Sequence, residues 1–339
     1  MSEPRRRPLS RRDFLKRSAG AALAFPSAAA VLAACSKPGT STPVPSGARN
    51  PLTNPATPGN PVKWPLFGEA IADDLPIETD ATLQIYNWSA YLWPALFRDF
   101  ERKYSKYNVK VELTTFNNEE EAVQKLTSGA ITADVTFPTV YVLGQQIAGK
   151  LLQPINHNLV PNLTTNVWPQ FQDPWYDQGW QYSVPYVIWT TGIGYRRDHV
   201  PDAQVAAMGY ATLWDRSYKG KVGFYDSVQN AIAMALLKNG YTDVNTSDPS
   251  AIDAAKQDLI KLVTDNNARV ANDDYTTVPA DQIWVHQSWS GNIVGAKFYL
   301  PRNVSPDVLG YWYPPQGGGV VGNDQIAIPA NAQHPRLAH

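Results

Sequence analysis

The chain has 339 residues, 43% of them apolar and 11% aromatic, with 29 Lys and Arg against 30 Asp and Glu for a formal net charge of −1. Seven of those bases and two of the acids fall in the first 34 residues, so the remainder carries a net charge of −6 and lacks the basic face that a nucleic-acid partner needs. The single cysteine, Cys35, excludes a disulfide framework and, once modified, leaves no thiol for metal binding or nucleophilic chemistry.

Residues 1–34 read as an export signal. Ser10, Arg11, Arg12, Asp13, Phe14, Leu15 and Lys16 spell the twin-arginine signature. The alanine-rich run after it contains Pro26 and is too short and too mildly apolar to span a membrane. Leu32, Ala33, Ala34 and Cys35 then match a lipobox, so cleavage before Cys35 and acylation of its sulfur are expected. The mature chain is thereby placed in the periplasm or on the outer face of the cell membrane, held to the membrane through a lipid anchor only. Residues 35–62, rich in Pro, Ser, Thr, Gly and Asn, read as a disordered tether. What remains is long enough for two lobes, each with a core.

From Ala81 short β-rich runs alternate with amphipathic stretches of helix length. Thr82 to Tyr86 is a predicted strand, and Leu92 to Tyr104 a helix with Leu96, Phe97 and Phe100 on one side. The alternating "VKVELTT", Val109 to Thr115, is the next strand; Glu119 to Thr127 is a helix capped by Asn117 or Asn118 with acids in its first turn. "ADVTFP" is a strand and Val140 to Gly149 a helix, an order that predicts a mostly parallel sheet covered on both faces. "YSVPYVIWTTGIGYRRD", residues 182 to 198, is either a buried strand or a connector between lobes. "GKVGFYDS" is a strand, followed by helices from Asn230 to Asn239 and from Pro249 to Thr264, the latter opened by Ser247 or Asp248. "DQIWVHQSWSGN" repeats the device of "LQIYNWSAYLWP", residues 83 to 94: a strand whose C-terminal end carries tryptophan, serine and asparagine. Polar and aromatic residues at strand ends are what a ligand crevice at the carboxyl edge of a sheet requires.

Signatures of catalysis are weak. The five histidines have no metal-ligand spacing, and neither a G-x-S-x-G elbow nor a P-loop occurs. "GGGVVG", Gly317 to Gly322, fits G-x-G-x-x-G but leads into "NDQIAIP", a strand rather than the helix a dinucleotide site needs. No cofactor motif is present. Glu119, Glu120 and Glu121 read as a solvated first helical turn, and Asp273 and Asp274 as capping residues of a turn. Asp324 differs, because it follows the glycine loop, precedes an apolar strand and can point into a cleft.

"LQIYNWSAYL", "ADVTFPTVY", "SVPYVIWTTGIGY", "LWDRSYKGKVGF", "AMALLKNGY", "SWSGN" and "DQIAIPANA" resemble, in order, the periplasmic spermidine/putrescine-binding proteins of ABC importers. The resemblance implies an α/β, two-lobed periplasmic-binding-protein fold of type II with the ligand cleft between the lobes. Residues 63–193 and 311–339 would form lobe 1 and residues 194–310 lobe 2, joined by "VPYVIWTTGIG". Trp88, Ser89 and Tyr91 fall where the family contacts ligand from the first lobe, and Thr139 and Tyr141 match a contact at the next strand end. Trp289 matches a ring that stacks on the ligand's methylene chain, and Asp324 a carboxylate that pairs with an amine. Where spermidine binders carry two acids this chain has Ser227 and Asn230, and where they carry a second tryptophan it has Gly322. Relatives continue past "AIPANA" with further helices, so lobe 1 is expected to be incomplete at its C-terminus. The function so implied is a monomeric, lipid-anchored, non-enzymatic component that binds a small cationic ligand, a polyamine, and delivers it to an ABC permease without a cofactor. Another small amine or amino-acid-like solute, a secreted hydrolase and a sensory module are the alternatives.

Overall fold

Two parallel runs of β-forming residues, β1 (Thr82–Trp88) and β2 (Lys110–Phe116), pair from Thr82 opposite Lys110 to Trp88 opposite Phe116. They begin the sheet of the computed structural model, which describes residues 56–315 and 318–339, all within one unit, Pro51–His339. The expected signal peptide and Cys35 lie outside the described residues. Chain order around these strands follows local chemistry. Helix α1 (Pro94–Lys103) starts with proline, whose fixed φ and missing N–H suit a first turn. Helix α2 (Glu119–Thr127) is capped by Asn118, whose side chain accepts from the Glu121 N–H at 2.9 Å. Strand β3 (Val135–Thr136) lies parallel to β1 and feeds α3 (Val140–Ala148).

Strand β4 (Ser183–Arg196) carries the chain from one half of the sheet to the other. Past it come β5 (Val222–Phe224), α4 (Val228–Lys238), α5 (Pro249–Asn266), β6 (Arg269–Val270), β7 (Val285–Trp289), α6 (Ser290–Ala296), β8 (Leu309–Trp312) and β9 (Val320–Ala327). The strand order is β2-β1-β3-β9-β4-β7-β5-β6, with β8 also on β4. The first part of β4, from Ser183 to Thr191, pairs antiparallel with β9; its last part, from Thr191 to Arg196, pairs with β7 and β8. Buried apolar side chains divide the same way. Leu83, Val109, Val135 and Phe137 pack on one side, with Tyr186 and Ile326 against them, while Ile193, Leu213, Val222, Met234, Leu262 and Val285 pack on the other. The protein is therefore α/β and two-lobed, with β4 as the connector that the apolar run at 182–198 left open.

Four expectations are corrected. The sheet is mixed, because β4, β8 and β9 run antiparallel to their neighbours. The alternation of β2 does not bury a face, since β2 is an edge strand and most of it is exposed. In α1, Leu96 is 54% exposed, leaving Phe100 to pack towards the core. The tether expected over 35–62 also ends before 62: Val62 is 8% exposed, and its backbone pairs with the Trp175 carbonyl and the Gln178 N–H at 2.8 and 2.9 Å. Val62 and Trp64 are apolar enough to gain more from a groove beside Leu143 and Tyr182 than from water.

The turn that launches β4 is held by Asp177. This buried carboxylate accepts from the backbone N–H groups of Gln181, Tyr182 and Ser183 at 3.1, 3.0 and 2.9 Å and from the Ser183 hydroxyl at 2.8 Å. Asp177→Ala strands these donors in a buried turn, and thermal or urea unfolding is expected to show a loss of about 3 kcal/mol. A loss below about 0.5 kcal/mol would mean water replaces the carboxylate at little cost.

Candidate functional site

The carboxyl ends of β1, β3 and β7 converge with β4 and β9 on a cavity of about 380 Å³. At the end of β1, Ala90 has φ +58°, in the left-handed region. That sharp turn after Ser89 brings Tyr91 back over the strand ends, and the Tyr186 hydroxyl holds its carbonyl at 2.8 Å. Trp88 faces the same space, packed on Phe116 with ring centres 4.6 Å apart. From β3 and the start of α3 come Thr139 and Tyr141; from the second half come Asn230 and Trp289.

Asp324 lies at the centre and is 2% exposed. Its carboxylate accepts from the Tyr91 hydroxyl, from Trp189 Nε1 at 3.0 Å and from Thr139 Oγ1 at 2.7 Å. Burial raises its pKa above the usual carboxylate range, against the opposing pull of those three hydrogen bonds. Among the described residues that line the cavity it is the one charged side chain.

The walls are aromatic. Trp289 stacks on Tyr225 at 4.1 Å, with Trp88 edge-on at 5.6 Å and Trp189 tilted at 5.7 Å. Tyr225 is pinned in turn: its hydroxyl accepts from the Trp289 N–H at 2.6 Å and donates to Asp274 at 2.9 Å, while Asn292 donates to the same carboxylate at 2.7 Å. Asp274 is fully buried, so it supports the Trp289 wall where the sequence suggested only a capping residue of a turn. The two halves also meet directly at the rim, where Asn118 Nδ2 donates to the Asp226 carbonyl at 2.9 Å and Asn272 Nδ2 to the Asn117 carbonyl at 2.5 Å.

Of the nine ligand-site residues expected from sequence, Trp88, Ser89, Tyr91, Thr139, Tyr141, Asn230, Trp289 and Asp324 line this one cavity. Ser227 does not: its hydroxyl accepts from Asn230 Nδ2 at 3.0 Å and fixes that amide, whose oxygen takes Thr191 Oγ1 at 3.2 Å. Sequence reasoning missed Trp189. Gly322 faces it across the β4–β9 ladder, and a Cβ at 322 would overlap the indole. The ring absent from β9 is thus delivered from β4, and the missing side chain at 322 makes the room for it. Glu119 was also missed. It is 3% exposed, unlike Glu120 and Glu121, so the triplet is not a uniformly solvated turn. Among the described residues no group of His, Cys, Asp and Glu could hold a metal ion, and no helix is long and apolar enough to cross a membrane.

Comparison with known proteins gives the family and the fold. The family described as "Bacterial extracellular solute-binding protein" matches residues 95–339. The spermidine/putrescine-binding periplasmic protein of Escherichia coli K12 is 30% identical over 256 residues, which is 75% of this chain and 69% of that protein. Among solved structures, a candidate spermidine/putrescine ABC transporter from Listeria monocytogenes superposes with a TM-score of 0.66 at 29% identity over 76% of each chain. The Tp0655 (TpPotD) lipoprotein of Treponema pallidum superposes with a TM-score of 0.64 over 76% of this chain and 78% of its own, and at 23% identity that likeness speaks for the fold alone.

Proposed function

The chain belongs to the bacterial extracellular solute-binding proteins, which bind rather than transform their solutes, and from that premise we propose that its solute is a polyamine handed to an ABC permease. One observation carries the reading: a buried carboxylate, Asp324, at the centre of an aromatic-walled cavity whose described lining offers it no Lys, Arg or His as counter-charge. An ammonium group supplies that charge, and the carbon chain behind it needs flat apolar walls. A cation over a tryptophan face contributes roughly 0.5 to 2 kcal/mol, so the rings supplement Asp324 without replacing it.

In this reading Asp324 pairs with one amine, Trp289 and Trp189 flank the methylene chain, and Trp88, Ser89, Tyr91, Thr139, Tyr141 and Asn230 shape the remainder. The periplasmic names of the relatives support an extracytoplasmic location. Twin-arginine export, an anchor on Cys35, the lobe limits 63–193 with 311–339 and 194–310, and a monomeric state complete the proposal.

Calorimetry of the purified chain against putrescine, spermidine, monoamines and amino acids tests it, with tryptophan fluorescence as a second readout because three indoles border the cavity. Putrescine or spermidine is expected to bind at micromolar concentrations or below. Heat from monoamines or amino acids alone, with polyamines silent, would replace the polyamine with another small solute.

A further inference from the structure

Resting on the reading that the cleft takes an amine, we propose that Glu119 is the site's second acid, holding a proton in the free protein that it gives up when an ammonium group seats against Asp324. The geometry that leads there is the sharing of Thr139. Its Oγ1 lies 2.7 Å from Asp324 Oδ1 and 3.3 Å from Glu119 Oε2, between two carboxyl groups. A hydroxyl has one proton to donate. The shorter contact takes that proton to Asp324 Oδ1, while the other carboxylate oxygen, Oδ2, accepts from Trp189 Nε1, which can only donate, and from the Tyr91 hydroxyl. The remaining contact is a hydrogen bond only if Glu119 carries a proton and donates it to the Thr139 oxygen. Glu119 does not line the cavity and sits behind Thr139, reached by the ligand's charge but not by the ligand.

The surroundings on every side leave Glu119 without a counter-charge. On its own helix α2, Glu120 adds like charge, and Lys125 is held by Glu121 at 2.6 Å one turn further on. From β1 and the turn after it come Tyr86 and Tyr91, from α3 Tyr141, from β4 Tyr186 towards Asp324, and from β9 Asp324 itself. The tyrosines are neutral, each with its hydroxyl pKa raised first by burial. Burial, and after it the charge of Asp324, pushes the Glu119 carboxyl well above the ordinary glutamate value, against the opposing pull of its side-chain and backbone contacts with Thr139. An arriving ammonium reverses the second of these causes. The O–H bond of Glu119 then breaks, its electron pair stays on the carboxylate, and the proton leaves to solvent, so a cation is exchanged for a proton. The second acid that Ser227 and Asn230 do not supply from the far half comes from α2 of the near half.

Sign and size follow from linkage. Binding that releases a proton strengthens as pH rises, by up to about tenfold per pH unit for one proton, between the Glu119 pKa of the liganded and of the free protein. Putrescine titrated calorimetrically near pH 7, where both its amines are protonated, in phosphate and in Tris should therefore give apparent enthalpies that differ by the buffers' ionisation heats. In E119Q the two enthalpies should coincide and the pH dependence flatten. Infrared difference spectra of the free protein should show a protonated-carboxyl C=O band that E119Q removes. Equal heats in the two buffers for the wild type, or a buffer difference that survives in E119Q, overturn the proposal. A cleft silent to putrescine, spermidine and monoamines alike overturns the amine reading instead; the infrared band still decides the proton on Glu119 by itself, and its absence overturns that proton.

Discussion

Asp324→Asn is expected to weaken putrescine binding by about a hundredfold or more, equivalent to roughly 3 kcal/mol, while leaving the far-ultraviolet spectrum of the protein unchanged. The substitution keeps the shape and removes the one charge that the described lining presents. It also sets an amide where three donors converge. Trp189 Nε1 can only donate, so the new NH₂ cannot face it without leaving two donors opposed. Turned the other way, the amide meets the Thr139 hydroxyl, which then has to reverse and give its proton to Glu119. Both the charge and the hydrogen-bond network of the site therefore change with one atom. Calorimetry with a thermal melt as control measures the effect; a variant that binds putrescine within threefold of the wild type would show that the cleft recognises something other than charge.

Gly322→Ala should lower affinity by at least about tenfold and cost about 1–3 kcal/mol of stability, the usual range for overpacking. A methyl group at 322 overlaps the Trp189 indole, because the two residues face each other in the β4–β9 register. The ring cannot retreat freely: its Nε1 is bonded to Asp324 and its face is tilted against Trp289. Trp189→Leu removes the obstacle, so the double variant should lose little more than Trp189→Leu alone. Such strong non-additivity is the signature of one shared space. If the two single effects add in a double-mutant cycle followed by calorimetry and melting, the glycine and the indole are independent, and the transposed-ring account of this cleft fails.

Elements whose causes are local were legible in the sequence. The start of α2 follows from an asparagine cap and an acidic first turn, and the helix runs over the expected Glu119–Thr127. The apolar, β-branched run at 182–198 could be recognised as special, though not as a strand shared by two half-sheets, since its partners β9, β7 and β8 all come from much later in the chain. In the same way the aromatic and polar strand ends pointed to a crevice, and the family resemblance to the residues beside it. Where two residues look alike locally, the sequence had no means to separate them. Glu119 and Glu120 are adjacent acids in one helical turn, yet the first is buried behind Thr139 and the second is exposed. Asp273 and Asp274 are adjacent acids in one turn, yet Asp274 is the one under Tyr225.

By itself, then, the sequence determined the starts of α2, α3 and α5, though not those of α1 and α4, which begin at Pro94 and Val228 and not at Leu92 and Asn230, together with the alternation of strands and helices and the wall of rings and hydroxyls from Trp88 to Tyr91 and at Trp289, because capping, periodicity and motif act over a few neighbouring residues. Only the tertiary structure decided which acids are buried and which indole fills the space above Gly322. Burial and cross-strand register are set by chain segments far apart in sequence, and the charge of this cleft depends on both.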